Sequence, residues 1–421
     1  LKNASIFAIN SARVGSSRDP KHSILRAVNE VAKKITQEIS AHGPISFARF
    51  MELALYCPVY GYYEREQDTP GRAGDYFTSV SVGSLFGELL ALQFSEWLEE
   101  VLKLQARGPR SGAQGREQIV EAGAHDGRLA GDVLGFLRQE RPGLFERMEY
   151  WIVEPSERRR AWQERRLGEF GHKVRWVRQL SELTTGVRGV VFSNELFDAM
   201  PAHRFGWDAR QGRWFEWGVS LQSERFVWAR MSNSPMAPPL SGHWEALLGA
   251  LPDGFTLDIA PAAEAWWRAA ASRLDEGRLV TIDYGLTEEE FFAPERRDGT
   301  LRAYWRHRQG ADVLARPGQQ DITAHPNFSA IRAAGEEAGL DTETFTTQEE
   351  FLMRIAARLW EERAGLGQWT PGRARQFRTL THPQLLGRPL RVLVQRRGVR
   401  SSGQRGNRSR RFRCEGPGGQ G

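Results

Sequence analysis

Four apolar runs in the middle of the chain each end in polar groups: 119–122 before Gly123, 149–153 before Glu154, 189–192 before Asn194, and 278–282 before Asp283. Between them strand and helix patterns alternate, the signature of a mostly parallel sheet wound with helices on both faces. The fold class this predicts is α/β. Strands of one kind that deliver polar groups at one end build a rim there, where such sheets bind ligands. Residues 341–346 and 388–396 read as closing strands.

The front of the chain has a different rhythm. Ile24, Val28, Val31 and Ile35, then Phe47, Phe50, Met51 and Leu55 after Gly43-Pro44, predict two helices. An aromatic turn at 56–63 and a loop at 71–78 precede a long amphipathic helix, 85–104, with Leu89, Leu92, Phe94 and Trp97 on its apolar face. No strand is expected here, so 23–104 reads as a helical cap. A Gly/Arg/Gln linker at 105–116 joins it to a core at 117–397. Inside that core, 203–231 alternates Trp207, Trp214, Phe215, Trp217, Leu221, Phe226 and Trp228 with polar residues, which predicts a small antiparallel β insertion.

Composition adds limits. With 421 residues, 40% of them hydrophobic, the chain can bury a substantial core in one large domain or two ordinary ones. Its net charge of +6 resembles that of a nucleic-acid binder, but the ends hold that basicity: +3 lies in 1–22 and +5 in 398–421, leaving about −2 for 23–397. No nucleic-acid partner is expected. Both ends are expected to be disordered extensions; the second, an Arg/Gly tail, has almost no apolar residues to offset its ordering entropy. No run is long and apolar enough to span a membrane. Cys57 and Cys414 form no disulfide framework, and the histidines show no metal-ligand spacing, so no metal is expected. The compartment expected by default is the cytoplasm, with the mitochondrial matrix as the alternative if 1–22 is a transit peptide.

The chemistry concentrates where the first strand ends, at Glu121-Ala122-Gly123-Ala124-His125-Asp126-Gly127. Glycines let the backbone turn sharply, approach a ligand closely and aim helix N–H groups at it, so the segment suggests an S-adenosylmethionine (SAM) site. An ordinary strand-to-helix turn would look similar in isolation. The second strand ends in Glu154, placed to accept hydrogen bonds from both hydroxyls of a ribose.

Several segments together resemble the MidA-like SAM-dependent methyltransferases, which include a mitochondrial complex I assembly factor that methylates a protein arginine. They are Gly43-Pro44-Ile45-Ser46-Phe47, Leu55-Tyr56 with Tyr60-Gly61-Tyr62-Tyr63, Gly74-Asp75-Tyr76-Phe77-Thr78-Ser79, and Leu85-Phe86-Gly87-Glu88-Leu89-Leu90. Further on come Asn194-Glu195-Leu196-Phe197-Asp198-Ala199-Met200-Pro201, His203-Arg204-Phe205, Ile282-Asp283-Tyr284-Gly285, Gly299-Thr300-Leu301-Arg302 and Asp321-Ile322-Thr323-Ala324-His325.

The resemblance implies a class I methyltransferase sheet, Rossmann-like with an antiparallel edge, SAM as cosubstrate and a protein acceptor, such as a respiratory-complex subunit. It implies that Asp75, Glu121, Gly123, His125, Gly127, Glu154 and Asn194 hold the cosubstrate. Glu195 and Asp198 are then the candidate catalytic pair, because carboxylates orient a guanidinium in bidentate fashion and take its proton. Capping of a following helix is the competing role for these two acids. Asp283-Tyr284, Asp321 with His325, and Tyr62 and Tyr63 are further rim candidates. In one respect the chain departs from the family: His125 stands where a G-P-G-R-G-type loop has glycine, so it either contacts SAM or narrows the pocket. Methylation of a small metabolite, and a non-catalytic assembly protein on the same fold, remain the alternatives.

Overall fold

The computed structural model describes residues 20–65, 78–107, 116–183, 186–232, 237–240, 245–305, 308–310, 312–362 and 369–398. Helices α1 (Pro20–His42) and α2 (Phe47–Tyr56) flank a two-residue strand, β1 (Ile45–Ser46), and Ser46 Oγ caps α2 by accepting from Arg49 N at 3.2 Å. Next come α3 (Ser79–Val82) and α4 (Leu85–Arg107). The alternating region begins with β2 (Gln118–Ala122), α5 (Arg128–Glu140), α6 (Pro142–Arg147), β3 (Glu149–Val153), α7 (Glu157–Leu167), β4 (Val174–Val177) and β5 (Val187–Asn194).

An antiparallel segment then interrupts it: β6 (His203–Asp208), β7 (Arg213–Gln222), β8 (Arg225–Arg230), a short α8 (Glu245–Leu248) and β9 (Thr256–Ile259). The chain returns through α9 (Pro261–Arg273), β10 (Leu274–Tyr284) and α10 (Glu288–Phe291). Three short strands follow, β11 (Arg302–Trp305), β12 (Arg308–Gly310) and β13 (Asp321–Thr323). Helix α11 (Phe328–Glu337), β14 (Asp341–Thr347), α12 (Gln348–Glu362), α13 (Pro371–Thr381) and β15 (Leu390–Arg397) complete the described chain.

The central sheet has the order β14-β15-β10-β5-β2-β3-β4. Strands β10, β5, β2, β3 and β4 pair in parallel, while β15 runs antiparallel between β10 and β14. This is the mixed α/β sheet with the antiparallel edge expected from the sequence. Strand β2 is followed in the chain by β3 on one side yet pairs with β5 on the other, so the winding reverses between β2 and β5. A crevice opens at such a reversal, beyond the carboxyl ends of the strands. One face of the sheet is covered by α4, α5 and α12 through Leu89, Phe94, Val133 and Ile355; the other by α9 and α11 through Trp267 and Ile331.

Three expectations need correction. The front helices do not form one cap, because α4 is buried on several sides, with Leu89, Leu90, Ala91 and Phe94 all inaccessible, and packs on the central sheet. Only α1 and α2 form a separate layer, around Val31, Ile35, Phe47, Phe50 and Met51. Second, the front does contain a strand: β1 pairs antiparallel with β7, too short to leave a periodic trace. Third, the insertion extends beyond 231, since β9 completes a five-stranded sheet of β1, β7, β6 and β9 with β8 on β7. The order of pairing, rather than any local pattern, recruits that distant strand.

Helix α1 starts at Pro20, inside the expected 1–22 extension. The remainder of that extension, nearly all of 398–421 and Asp75 lie outside the described residues. Among the described residues no helix is long and apolar enough to cross a membrane.

Candidate active site

The five residues of β2 are all buried, and the chain leaves the sheet through three left-handed positions: Gly123 (φ 78°), His125 (φ 47°) and Gly127 (φ 82°). A Cβ on Gly123 would come within 3.1 Å of Leu196 Cδ1, on the loop after the neighbouring strand β5. Glycine is needed here both for conformation and for close approach. The turn closes with Gly127 N donating to Ala124 O at 2.7 Å and Arg128 N to Asp126 Oδ1 at 3.0 Å, which starts α5. Burial opposes the Asp126 charge, but His125, Arg166 and the Arg128 N–H outweigh it and hold its pKa down to about 2.

His125 occupies a backbone region that costs a side-chain-bearing residue roughly 1–2 kcal/mol. Its ring does not seal the crevice. His125 is one wall residue of a cavity of about 1650 Å³ that also exposes Glu121, Gly123, Glu154, Asn194, Glu195, Tyr56 and Tyr63. Its Nδ1 lies 4.0 Å from Asp126 Oδ1 and has no hydrogen-bond partner.

Glu121 and Glu154 stand at the carboxyl ends of β2 and β3 as expected, 2% and 3% exposed. Tyr150 Oη donates to Glu121 Oε2 at 2.7 Å, yet burial dominates and pushes the Glu121 carboxyl up to about 8. Because this folded-state value lies above that of an unfolded glutamate, the stability it contributes is complete below about pH 4.3 and is lost as pH rises through about 8. Glu121→Gln, which keeps an acceptor for Tyr150, is therefore expected to flatten the fall in thermal stability between pH 5 and 9. The gain over the native chain at pH 9 should approach ~3–5 kcal/mol. Parallel melting curves of the two proteins across that range would rule the effect out.

Glu154 is held at both oxygens. Ser156 N donates to Oε1 at 3.0 Å and Gln163 Nε2 to Oε2 at 2.9 Å, while burial raises its pKa. The same Gln163 amide donates to His125 O at 2.9 Å, tying the glycine turn to the acid on the next strand. The turn at Tyr62–Glu64 fastens over this corner: Ser156 Oγ donates to Glu64 Oε2 at 2.8 Å and Arg159 Nε to Tyr63 O at 3.0 Å. Sequence reading found none of Gln163, Arg159 and Glu64, because their partners lie far along the chain and no local spacing marks them.

After β5, Glu195 adopts φ 48°, and its N–H donates to Ile282 O at 2.8 Å. Its Oε1 accepts from Ser79 N and from Asn194 Nδ2, both at 3.1 Å, and burial pushes its pKa up to about 8. Ser79, at the start of α3, ends one of the matching segments, but sequence reading gave it no role. Asp283, at the end of β10, steers the loop by accepting from Leu196 N at 3.0 Å and Phe197 N at 2.7 Å through Oδ2.

Asp198 does not stand beside Glu195 in the cavity wall, which is formed there by Asn194, Glu195, Leu196, Ala199 and Met200. It lies one layer behind, 9% exposed, where burial and then Asp283, Asp321 and Glu195 raise its pKa well above the carboxylate range. No helix begins at 195–200, so neither acid is a helix cap. Tyr63 Oη donates to Asp321 Oδ1 at 2.7 Å, joining the front layer to this group, whereas Tyr62 is buried away from the cavity.

Two other sets of matching segments are structural. Asp258 accepts from Arg204 Nη1, Thr300 N and Leu301 N, which binds the inserted sheet to the following loop. His325 is not in the cavity wall, and burial depresses its pKa to about 3, so its ring is neutral. Among the described residues no cluster of His, Cys, Asp and Glu is arranged to hold a metal ion.

A family profile described as "Putative S-adenosyl-L-methionine-dependent methyltransferase" matches residues 89–346. Protein arginine methyltransferase NDUFAF7, mitochondrial, of Mus musculus is 28% identical over 351 residues, 77% of this chain and 74% of that protein. The Homo sapiens protein of the same name is 28% identical over 339 residues, 74% and 71% of the two chains. The crystal structure of a superfamily member from Burkholderia thailandensis bound to S-adenosyl-homocysteine superimposes with a TM-score of 0.76 at 30% identity, covering 91% of this chain and 96% of that one. Sheet order, the glycine turn at the winding reversal and these similarities converge: the chain belongs to the MidA-like family of SAM-dependent methyltransferases.

Proposed function

We propose that the chain transfers the methyl group of SAM to an arginine guanidinium of another protein. The observation that carries this reading is the set of buried carboxylates at the end of β5 and β10, with Glu195 presented to the cavity and no ion pair to a described Lys or Arg at Glu195, Asp198 or Asp283. A guanidinium matches such a site in charge and in hydrogen-bond donors. The arginine methyltransferases among the relatives support the same acceptor.

The residues present fit SAM. Gly123 lines the cavity where a Cβ would press on Leu196 of the same wall, and Asn194 Oδ1 is a buried acceptor without a partner. In this reading Gly123 and His125 hold the methionine end with Asn194, Glu154 takes the ribose hydroxyls, and Glu121 supports the turn from beneath; Gly127, expected to hold the cosubstrate too, is not in the cavity wall and instead packs against Leu167 and Gln163 of α7. Asp75, expected to close over the cosubstrate, lies outside the described residues. SAM supplies an electrophilic methyl carried on a sulfonium.

The rest falls to the chain. Ser79 N–H and the Asn194 amide pin Glu195 Oε1, which leaves Oε2 to orient the guanidinium and receive its proton; a pKa near 8 suits a general base working around neutrality. Orientation of this kind can lower a barrier by roughly 7–11 kcal/mol. Asp198 lies behind the wall, where burial and the neighbouring acids favour its neutral form, so any negative potential from it depends on an arriving cation.

A cavity of about 1650 Å³ that opens past α1 has room for SAM together with an acceptor. Its continuity past His125 weighs against a non-catalytic protein. The mitochondrial designation of the relatives favours the matrix over the cytoplasm as the compartment.

The test is incubation of the protein with methyl-labelled SAM and hypomethylated cell extract, followed by acid hydrolysis. Label is expected in methylarginine. Label recovered only in other amino acids or in small molecules would remove the arginine assignment.

A further inference from the structure

Arg159 stands in the cavity wall with Glu154, Glu64, Tyr56 and Tyr63. It is the third residue of α7, and its N–H donates to Ser156 Oγ at 3.3 Å, so the helix start fixes its backbone. The side chain turns toward the front layer: its guanidinium carbon lies 5.1 Å from the centre of the Tyr63 ring, and Nε donates to Tyr63 O at 3.0 Å. That bond uses one of a guanidinium's five N–H donors. The terminal nitrogens make no hydrogen bond among the described residues, and Nη2 is buried without a partner.

Stability alone does not account for this arrangement. A cation in the first turn of a helix is opposed by the helix dipole, and a buried donor is normally completed by protein, water, an ion or a bound molecule. The nearest charge of opposite sign is Glu154. Burial raises the Glu154 pKa, and Arg159 is the foremost of the groups that oppose the rise; burial likewise works against the Arg159 charge, and Glu154 is the first of the acids that sustain it. Yet the two form no ion pair, since Glu154 gives its oxygens to Ser156 N and Gln163 Nε2 while Arg159 gives Nε to Tyr63 O. An acceptor and a donor therefore share one wall, near enough for each to act on the other's charge but not in contact. The group that suits them both donates to one and accepts from the other. A hydroxyl does this. A carboxylate would meet Glu154 and Glu64, and a cation would meet Arg159.

We propose that Arg159 is a specificity-determining residue: its terminal N–H groups donate to the hydroxyl oxygens of the cosubstrate's ribose while Glu154 accepts from the same hydroxyls, so that the pair selects a free vicinal diol. The inference rests on the reading of Glu154 as the ribose acid and adds the donor which that reading lacks. Tyr63 aims the guanidinium through its ring and its carbonyl, which gives the turn at Tyr62–Glu64 a part in cosubstrate recognition.

The experiment is calorimetry on the full chain with S-adenosyl-homocysteine and with its 2′-deoxy and 3′-deoxy forms, for the native protein, Arg159→Met and Arg159→Lys. Methionine keeps a long apolar side chain against the Tyr63 ring and removes every donor; lysine keeps the charge but not the planar fork. Arg159→Met should weaken S-adenosyl-homocysteine binding roughly tenfold to a hundredfold, and Arg159→Lys less. The penalty should vanish for at least one deoxy form, because the oxygen that Arg159 served is gone. Circular dichroism checks that each variant folds, and the lysine variant carries the comparison by itself if the methionine variant does not.

A penalty of equal size for all three ligands would make Arg159 a structural support of the turn and overturn the inference, as would unchanged affinity for S-adenosyl-homocysteine in the folded variants. The two readings fail differently. Native protein that binds all three ligands alike removes Glu154 as the ribose acid along with the role of Arg159. Discrimination against the deoxy forms that is undiminished in the variants keeps that acid and removes Arg159 alone.

Discussion

Glu154→Ala is expected to weaken S-adenosyl-homocysteine binding about 100-fold or more, a loss of roughly 2.7 kcal/mol, while the protein remains folded. The carboxylate is buried and pre-aimed by Ser156 N–H and the Gln163 amide, so it presents its remaining lone pairs without reorganisation. Removing it leaves those two donors unpaired and takes away the acceptor for a ribose. Each unsatisfied group costs roughly 1–3 kcal/mol, and part of that cost falls on the folded state. Calorimetry paired with circular dichroism separates the two: an unchanged Kd in a folded variant would show that the ribose lies elsewhere.

The second large effect concerns Glu195. Glu195→Gln should lower methyl transfer to protein by roughly 10²–10³-fold and change S-adenosyl-homocysteine affinity little, because the amide retains an oxygen for Ser79 N–H but neither attracts a guanidinium nor takes its proton. The pH profile has a definite sign. Burial holds the free enzyme's carboxyl near 8, so its charged form gains as pH rises, and kcat/KM should climb through pH 8, where it is half-maximal, and level off about a unit above it. The residual activity of the Gln variant should lack that limb. Full activity in the variant would move the base to another residue.

Both predictions use residues whose type and strand position were legible in the sequence. Glu154 and Glu195 follow apolar runs, and a parallel sheet collects the ends of such runs on one edge. Their neighbours were not legible. Gln163 serves His125 and Glu154 together only because α7 crosses back over the glycine turn. Ser79 reaches Glu195 from a different part of the chain, and Tyr63 reaches Asp321 across an even longer interval. Contacts of this length depend on packing, and one sequence carries no periodic trace of them. Local chemistry also misled: Asp198 has the right residue type at the right strand end, yet the turn at 197–200 directs it behind the wall.

Charge shows the same division. The sequence establishes that the body of the chain is nearly neutral, but not that several of its acids lie buried together. That follows only when β5, β10 and β13 converge. By itself, then, the sequence determined the alternation of strands and helices, the glycine turn and the acids at the strand ends, because periodicity and backbone conformation are local properties. The tertiary structure decided that α4 belongs to the sheet, that β9 closes the inserted one, and which acids share a buried space. Those outcomes depend on which surfaces exclude water together, and hence on residues far apart in the chain.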